Sequence, residues 1–174
     1  MLIKRIFDIM FSFLGIILLL PVFAIVAILI KFFSPGPVFF QQERIGRYGK
    51  KFKILKFRSM RTNHGGNSMS IKGESRITPI GAILRKYKFD ELPELWNVLR
   101  GDMSFVGPRP DVPEYVFSLS EEERLILNLR PGITGPASLK YANEEEILSM
   151  VPDPVTYYNE IIWKDKVRLN VEYC

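Results

Sequence analysis

Between Asp8 and Lys31 lie 22 residues, Ile9 to Ile30, without one charged side chain. No other stretch narrows the possible folds as much. At 1.5 Å of rise per residue, a helix of this length matches the roughly 30 Å hydrocarbon layer of a bilayer, so the segment reads as a membrane element. A cleaved signal peptide fits poorly, because the run is too long and no small-residue cleavage site follows it. A straight spanning helix is the simplest arrangement. Against it stands Pro21, inside the run, which removes the hydrogen bond to the Ile17 carbonyl and clashes with the preceding turn at a cost of about 3 kcal/mol. Both flanks are also basic, with Lys4 and Arg5 before and Lys31, Arg44, Arg47 and Lys50 after, so neither end is marked as the outer one. A helix-break-helix hairpin, bent at Pro21 and entering and leaving on one face, satisfies both observations. On these residues alone the spanning and re-entrant arrangements stay equally open.

The remainder, residues 34–174, is enough for one domain with a core, and no linker or repeat divides it. After the breakers Ser34-Pro35-Gly36-Pro37, the stretches Val38 to Ile45 and Phe52 to Phe57 read as strands. They flank the hairpin loop Gly46-Arg47-Tyr48-Gly49. The second strand alternates Lys51, Lys53 and Lys56 with Phe52, Ile54 and Phe57, a face that suits headgroups or a phosphate. Thr62 to Ser75 is a polar, Gly-rich loop. Thr78 caps a helix with Pro79 in its first turn; Ile80, Ile83, Leu84 and Tyr87 form its apolar side, and Arg85, Lys86 and Lys88 its basic side. Ser120 to Glu123 matches a capping box opening a helix through Leu129. Asp153-Pro154 starts a last helical stretch carrying Tyr157, Tyr158, Ile161, Ile162 and Trp163. The expected class is α+β: a proline-broken membrane helix at 1–33 and a small helical domain with a β-hairpin at 34–174.

Composition removes several chemistries. The chain has one Cys, Cys174, and one His, His64, so neither an internal disulfide nor a Cys/His zinc cluster can form. His64 lies in the polar loop with no Gly-x-Ser-x-Gly elbow nearby, which disfavours a Ser-His-Asp triad. Acid, base and nucleophile roles fall to carboxylates and lysines. The formal charge of +5 suits a phosphorylated substrate or an anionic membrane surface. Without a recognisable nucleic-acid module, a nucleic-acid partner is not expected.

The chemistry concentrates between Lys88 and Pro110. Leu92, Leu95, Trp96 and Leu99 recur at helical spacing, so one face is core. Asp90 and Glu91 stand at the mouth of that helix, where an N-cap and a dipole-complementing carboxylate are the ordinary roles. Their surroundings argue for more. Arg85, Arg100 and Arg109, the last held between Pro108 and Pro110, gather cations at a helix N-terminus, which makes an anion site. Carboxylates in such a site repel a phosphate unless they bind a divalent cation or attack the phosphorus. Metal-assisted phosphoryl-type transfer beside a membrane is the resulting expectation.

Four stretches carry a resemblance to a known family: Lys53-Ile54-Leu55-Lys56-Phe57-Arg58-Ser59-Met60, Asp90-Glu91-Leu92-Pro93-Glu94-Leu95-Trp96-Asn97-Val98, Gly101-Asp102-Met103-Ser104-Phe105-Val106-Gly107-Pro108-Arg109-Pro110, and Arg130-Pro131-Gly132-Ile133-Thr134-Gly135. In this order they resemble the bacterial sugar transferases, small monotopic polyprenyl-phosphate phosphoglycosyl transferases. The resemblance spans about Lys4 to Tyr173. It implies transfer of a sugar-1-phosphate from a UDP-sugar to undecaprenyl phosphate, with release of UMP. It makes Asp90 the nucleophile of a phosphosugar-aspartyl intermediate and Glu91 its dyad partner, both beside a Mg2+ ion. Lys56, Arg85, Pro108, Arg109 and Pro110 become the substrate-binding set. It tips the membrane segment towards a re-entrant helix bent at Pro21, in the bacterial inner membrane with the catalytic domain on the cytoplasmic face. Membrane lipids and downstream glycosyltransferases are the implied partners, and the Thr62 to Ser75 loop and Asn143 to Pro152 region the implied sugar pocket.

This sequence departs from the family pattern in three places: Leu20-Pro21 where many relatives have Ser-Pro, Asn170 where some carry Asp, and an end at Cys174 where relatives usually continue. The alternative is a catalytically inactive or truncated membrane-anchored scaffold of a glycan-assembly complex.

Overall fold

A computed structural model describes residues 2–61 and 75–174. The polar stretch 62–74, with His64 and most of the loop expected to contribute to a sugar pocket, lies outside the described residues.

The apolar run and its flanks form one helix, α1 (Leu2–Phe33). The expected break at Pro21 is corrected: the backbone stays helical through it. Pro21 is on the exposed side, while residues before and after it rest on the same domain. Packing on both sides of the proline therefore holds the helix together across one missing hydrogen bond. The boundary at residue 33 coincides with the helix end, yet α1 is no separate unit. Lys4 Nζ donates to the Val106 carbonyl at 2.7 Å, and Arg5 donates to the Val98 and Leu99 carbonyls at 2.6 and 2.9 Å. Buried Asp8 accepts from the Ser104 hydroxyl at 3.1 Å and the Phe105 N–H at 3.2 Å. Further along, Phe23 meets Phe57 edge-on with centroids 5.6 Å apart, and Val26 and Ile30 share a cluster with Phe57 and Leu84. The opposite face is apolar and exposed, with Ile3, Ile6, Phe13, Leu18, Ile25 and Ile28. Arg58 closes the exit from α1, donating to the Ser34 and Pro35 carbonyls at 2.7 and 2.6 Å.

The hairpin forms as expected. Strands β1 (Phe39–Ile45) and β2 (Lys51–Phe57) pair antiparallel, from Phe39 opposite Phe57 to Ile45 opposite Lys51. Helix α2 (Pro79–Lys86) begins at the predicted cap, where the Thr78 hydroxyl accepts from the Gly81 N–H at 3.0 Å. Asp90 does not take the ordinary role of a helix cap. The residues around it form a short 3₁₀ turn, Phe89–Glu91, entered through Lys88 at φ 58°, and α3 (Glu94–Arg100) has Pro93 before its first turn and no side-chain cap. Arg5 satisfies the last carbonyls of α3, so a membrane-helix residue finishes a helix of the domain.

Two three-residue strands that the sequence did not reveal join the last two motifs. β3 (Ser104–Val106) runs parallel to β4 (Gly132–Thr134), with Ser104 opposite Gly132 and Val106 opposite Thr134. The backbones meet so closely that a Cβ on Gly132 would stand 2.2 Å from the Gly107 nitrogen, so only glycine fits.

Beyond β3 come α4 (Pro113–Phe117) and, in place of a longer α-helix, a 3₁₀ segment Glu123–Asn128. The predicted capping box opens it: the Ser120 N–H donates to Glu123 Oε2 at 2.8 Å, and the Glu123 N–H to Ser120 Oγ at 3.3 Å. After β4 follow α5 (Pro136–Lys140), α6 (Glu144–Ser149) and α7 (Pro154–Tyr157). A π-helical turn, Tyr158–Trp163, then leads into α8 (Lys164–Tyr173). The core is a set of small clusters. Ile54, Val98 and Met103 tie β2 to α3, and Ile45, Val116, Ile126 and Val167 tie the hairpin to the C-terminal helices. The class is α+β, with a long apolar N-terminal helix.

Candidate active site

The three elements that meet at Asp90 are β2, the 3₁₀ turn and the segment after β3. Their positions depend on Asn97, whose importance the sequence reading missed. From α3 its amide accepts from the Leu55 N–H at 2.9 Å and donates to the Lys53 carbonyl at 2.8 Å, so it pins β2 beside the turn. That sets Lys56 against Glu91, Nζ to Oε1 at 2.7 Å, and within 3.2 Å of Glu94 Oε1. A buried Asn on the core face of a helix was the available signal.

Arg109 arrives from the other side. The Pro108 carbonyl accepts from the Gly132 N–H at 2.8 Å, and the Pro110 carbonyl from Arg44 at 3.3 Å. Held at both neighbours, Arg109 donates to the same Glu91 Oε1 at 2.5 Å. The prolines themselves do not line the cleft; they fix the arginine. Arg85, on the last turn of α2, pairs with Glu145 of α6. Arg100 is exposed and outside the cleft.

Asp90, Glu91, Lys56, Arg85 and Arg109 thus line one cleft of about 500 Å³. Among the described residues, nine basic side chains and five carboxylates line it, a balance that favours a multiply charged anion. The two adjacent carboxylates differ sharply. Burial alone would raise the Glu91 pKa, but the charges and hydrogen bonds of Arg109 and Lys56 outweigh it and hold the group ionised well below the usual carboxylate range. Asp90 is also buried, and burial pushes its pKa up, with Glu91 adding to the rise and Lys56, Arg85 and Lys88 opposing it. Its Oδ1 has no hydrogen-bond partner among the described residues. A carboxylate oxygen that no donor holds is free to approach an electrophile or a cation; one clamped by two cations holds those cations in place. Glu94, still more buried, is likewise raised by burial.

Residues that the sequence reading did not assign to a site complete the walls: Arg44 from β1, Asp111 after the Pro-Arg-Pro turn, Tyr115 from α4, Tyr158 from the π-helical turn, and Lys166 from α8. They are separated by up to 122 positions and carry no local pattern. Glu144 and Glu145 fall in the region expected to contribute to a sugar pocket.

The chain resembles known proteins along much of its length. The chain is 44% identical over 154 residues to the exopolysaccharide production protein PSS of Rhizobium leguminosarum bv. phaseoli, covering 79% of this chain and 73% of that one. It is 38% identical over 172 residues to a UDP-N-acetylgalactosamine-undecaprenyl-phosphate N-acetylgalactosaminephosphotransferase of Aeromonas hydrophila, covering 94% of this chain but 41% of the relative. Against the UDP-glucose:undecaprenyl-phosphate glucose-1-phosphate transferase of Escherichia coli K12 it is 38% identical over 177 residues, covering 98% of this chain and 38% of the relative. The chain therefore spans less than half the length of the last two. The family profile described as bacterial sugar transferase matches residues 1–174, and the chain belongs to that family.

Proposed function

We propose that this protein moves a sugar-1-phosphate from a UDP-sugar to undecaprenyl phosphate and releases UMP, with Asp90 as a covalent nucleophile. The observation that carries the assignment of Asp90 is the contrast between the two carboxylates: Glu91 is clamped by Lys56 and Arg109, while Asp90 Oδ1 is unheld. In the first step an Asp90 oxygen attacks the phosphorus that bears the sugar. The bond from that phosphorus to the UMP oxygen breaks, and UMP leaves with the electron pair. In the second step an oxygen of the carrier phosphate attacks the same phosphorus, its bond to Asp90 breaks, and the carboxylate is restored. Lys56, Arg85 and Arg109 offset the charge on the phosphoryl oxygens.

Mg2+ is bound through one or two carboxylates with phosphate oxygens and water completing its shell. Asp90 with its unpaired Oδ1, together with Glu91, fits that requirement; no group of three or more candidate ligands occurs among the described residues. Bound there, the ion would neutralise phosphate charge.

Helix α1 is assigned a one-sided place in the membrane. Its contacts with the domain run from Lys4 to Ile30, roughly 39 Å apart by helical rise, with an apolar face turned away along its length. Both ends thus stay with the same domain, as in the re-entrant arrangement, without a break at Pro21. The domain would sit on the cytoplasmic face of the inner membrane, where UDP-sugars are available, and pass its lipid-linked product to a glycosyltransferase.

The test is UMP release by the protein in nanodiscs with Mg2+ and a panel of UDP-sugars, for the wild type and Asp90→Asn, with and without undecaprenyl phosphate. Acceptor-dependent UMP release that Asp90→Asn loses is the expected result. Without acceptor, the Asp90 peptide should gain the mass of one phosphosugar. Full activity of Asp90→Asn, or silence of folded wild type with every UDP-sugar, would refute the assignment.

A further inference from the structure

The cleft extends further than phosphate chemistry requires. Past Arg109 it reaches a second end walled by Asp111, Tyr115, Glu144, Tyr158 and Lys166, none of which has a part in the two steps above. Four separate segments build this end, and it is tightly organised. The π-helical turn carries Tyr158, which is 7% exposed; such widened turns are commonly placed where a side chain must be re-aimed. Tyr115 meets the Tyr158 ring edge-on, with centroids 5.4 Å apart, and Lys166 Nζ lies 5.1 Å from the Tyr158 centroid. The Lys166 ammonium pairs with Glu144, and its side chain is only 11% exposed. Burial raises the Asp111 carboxyl, against the opposing charges of Lys166, Arg44 and Arg109, and the charges of Asp111 and Glu144 bear in turn on Tyr158.

The two ends differ in chemistry. Around Asp90 stand the cations Lys56, Arg85 and Lys88, with Arg109 on Glu91. The UMP moiety is an anion and belongs there. At the far end the carboxylates of Asp111 and Glu144 stand beside two cations, Lys166 and Arg44, and two phenols. With its two cations already balanced by two carboxylates, that set has no excess charge for a second phosphate, and it offers acceptors to hydroxyl hydrogens, donors to hydroxyl oxygens and an aromatic wall to a ring of C–H groups.

We propose that this end is the sugar subsite, in which Glu144, held by Lys166, and Asp111 accept hydroxyl hydrogens of the hexose beside the Tyr115–Tyr158 wall, so that these residues determine which UDP-sugar is used. The proposal rests on the transferase reading above. It makes Glu144 and Tyr158 specificity residues that act on the sugar and not on the phosphorus.

The test uses the full chain in nanodiscs, with Glu144→Gln and Tyr158→Phe, both close in shape to the residues they replace. For each, kcat/KM is measured with UDP-glucose, UDP-galactose and their two N-acetylhexosamine counterparts, together with inhibition by UMP and the unfolding temperature. The expected result is a change of about tenfold or more in the ratio of kcat/KM between two sugars in at least one variant, with UMP inhibition unchanged. A loss equal for all four sugars, with or without a lowered unfolding temperature, would overturn the subsite. So would UMP inhibition that weakens in step with activity, which would give this end to the nucleotide. Wild type silent with every UDP-sugar would instead overturn the transferase reading and the subsite with it.

Discussion

Replacing Glu91 by Gln tests the central electrostatic arrangement. The Glu91 carboxylate receives Lys56 Nζ at 2.7 Å and Arg109 Nη2 at 2.5 Å. A charge-assisted hydrogen bond contributes about 1.5–3 kcal/mol where solvent is excluded. That range applies to Lys56, whose side chain is 18% exposed, but the Arg109 side chain is 38% exposed and its share falls towards the ~0–1 kcal/mol of a surface pair. Gln keeps one neutral acceptor and recovers roughly 1 kcal/mol. The net loss is about 0.5–3 kcal/mol, which for a chain of this size lowers the unfolding temperature by roughly 1–12 °C. The pH dependence has a definite sign. The folded-state pKa of Glu91 is depressed, so its stabilisation is fully present above the unfolded value of about 4.3 and is lost as pH falls through the folded value. The gap between wild type and Glu91→Gln is therefore constant from pH 8 to 5 and narrows below pH 4. Thermal unfolding in nanodiscs across that range measures it, alongside UMP release, which falls because Arg109 loses its anchor. An unfolding temperature within 1 °C of wild type at pH 7, with full activity, would refute the arrangement.

Other expectations follow from the same geometry. Because burial raises the Asp90 pKa, the rate of UMP release at limiting UDP-sugar should rise with pH through a value above the ordinary carboxylate range, and Lys56→Met, removing the largest opposing charge, should move that limb higher. Stopped-assay pH profiles read both; an unmoved limb in Lys56→Met counts against the assignment. Gly132→Ala places a Cβ 2.2 Å from the Gly107 nitrogen and 2.6 Å from the Thr134 carbonyl oxygen, so the β3–β4 pair cannot close and folded yield should collapse. Asp8→Ala leaves the Ser104 hydroxyl and Phe105 N–H without their acceptor, a loss of about 1–3 kcal/mol for each buried donor, visible as faster hydrogen exchange along β3.

Local signals were legible where local chemistry decides the structure. The Thr78-Pro79 cap, the hairpin between Phe39 and Phe57, and the capping box at Ser120 form as their residues direct. Three features escaped because distant partners decide them. Pro21 obeys a local rule, but the packing of Ser12 before it and Val26 after it on one domain overrides that rule. Asp90 looks like a helix cap by position; the left-handed Lys88 and the 3₁₀ turn instead bury it in the cleft. The strands β3 and β4 are three residues each, too short for any alternation to mark them. For the site, most residues around Asp90 lie in the motifs that carry the family resemblance and could be read. The far end is assembled from Asp111, Glu144, Tyr158 and Lys166, which only the fold brings together.

The packing of α1 also bears on how such an enzyme can be handled. A common route to a water-soluble fragment is to delete an apolar N-terminal segment as though it were a tether. Here Phe57 and Leu84 lose Val26 and Ile30, the carbonyls ending α3 lose Arg5, and the Ser104 end of β3 loses Asp8. A chain begun at Ser34 would therefore open an oily trench beneath the turn that carries Asp90 and leave buried donors bare. The segment that meets the lipid is also a wall of the protein's own interior.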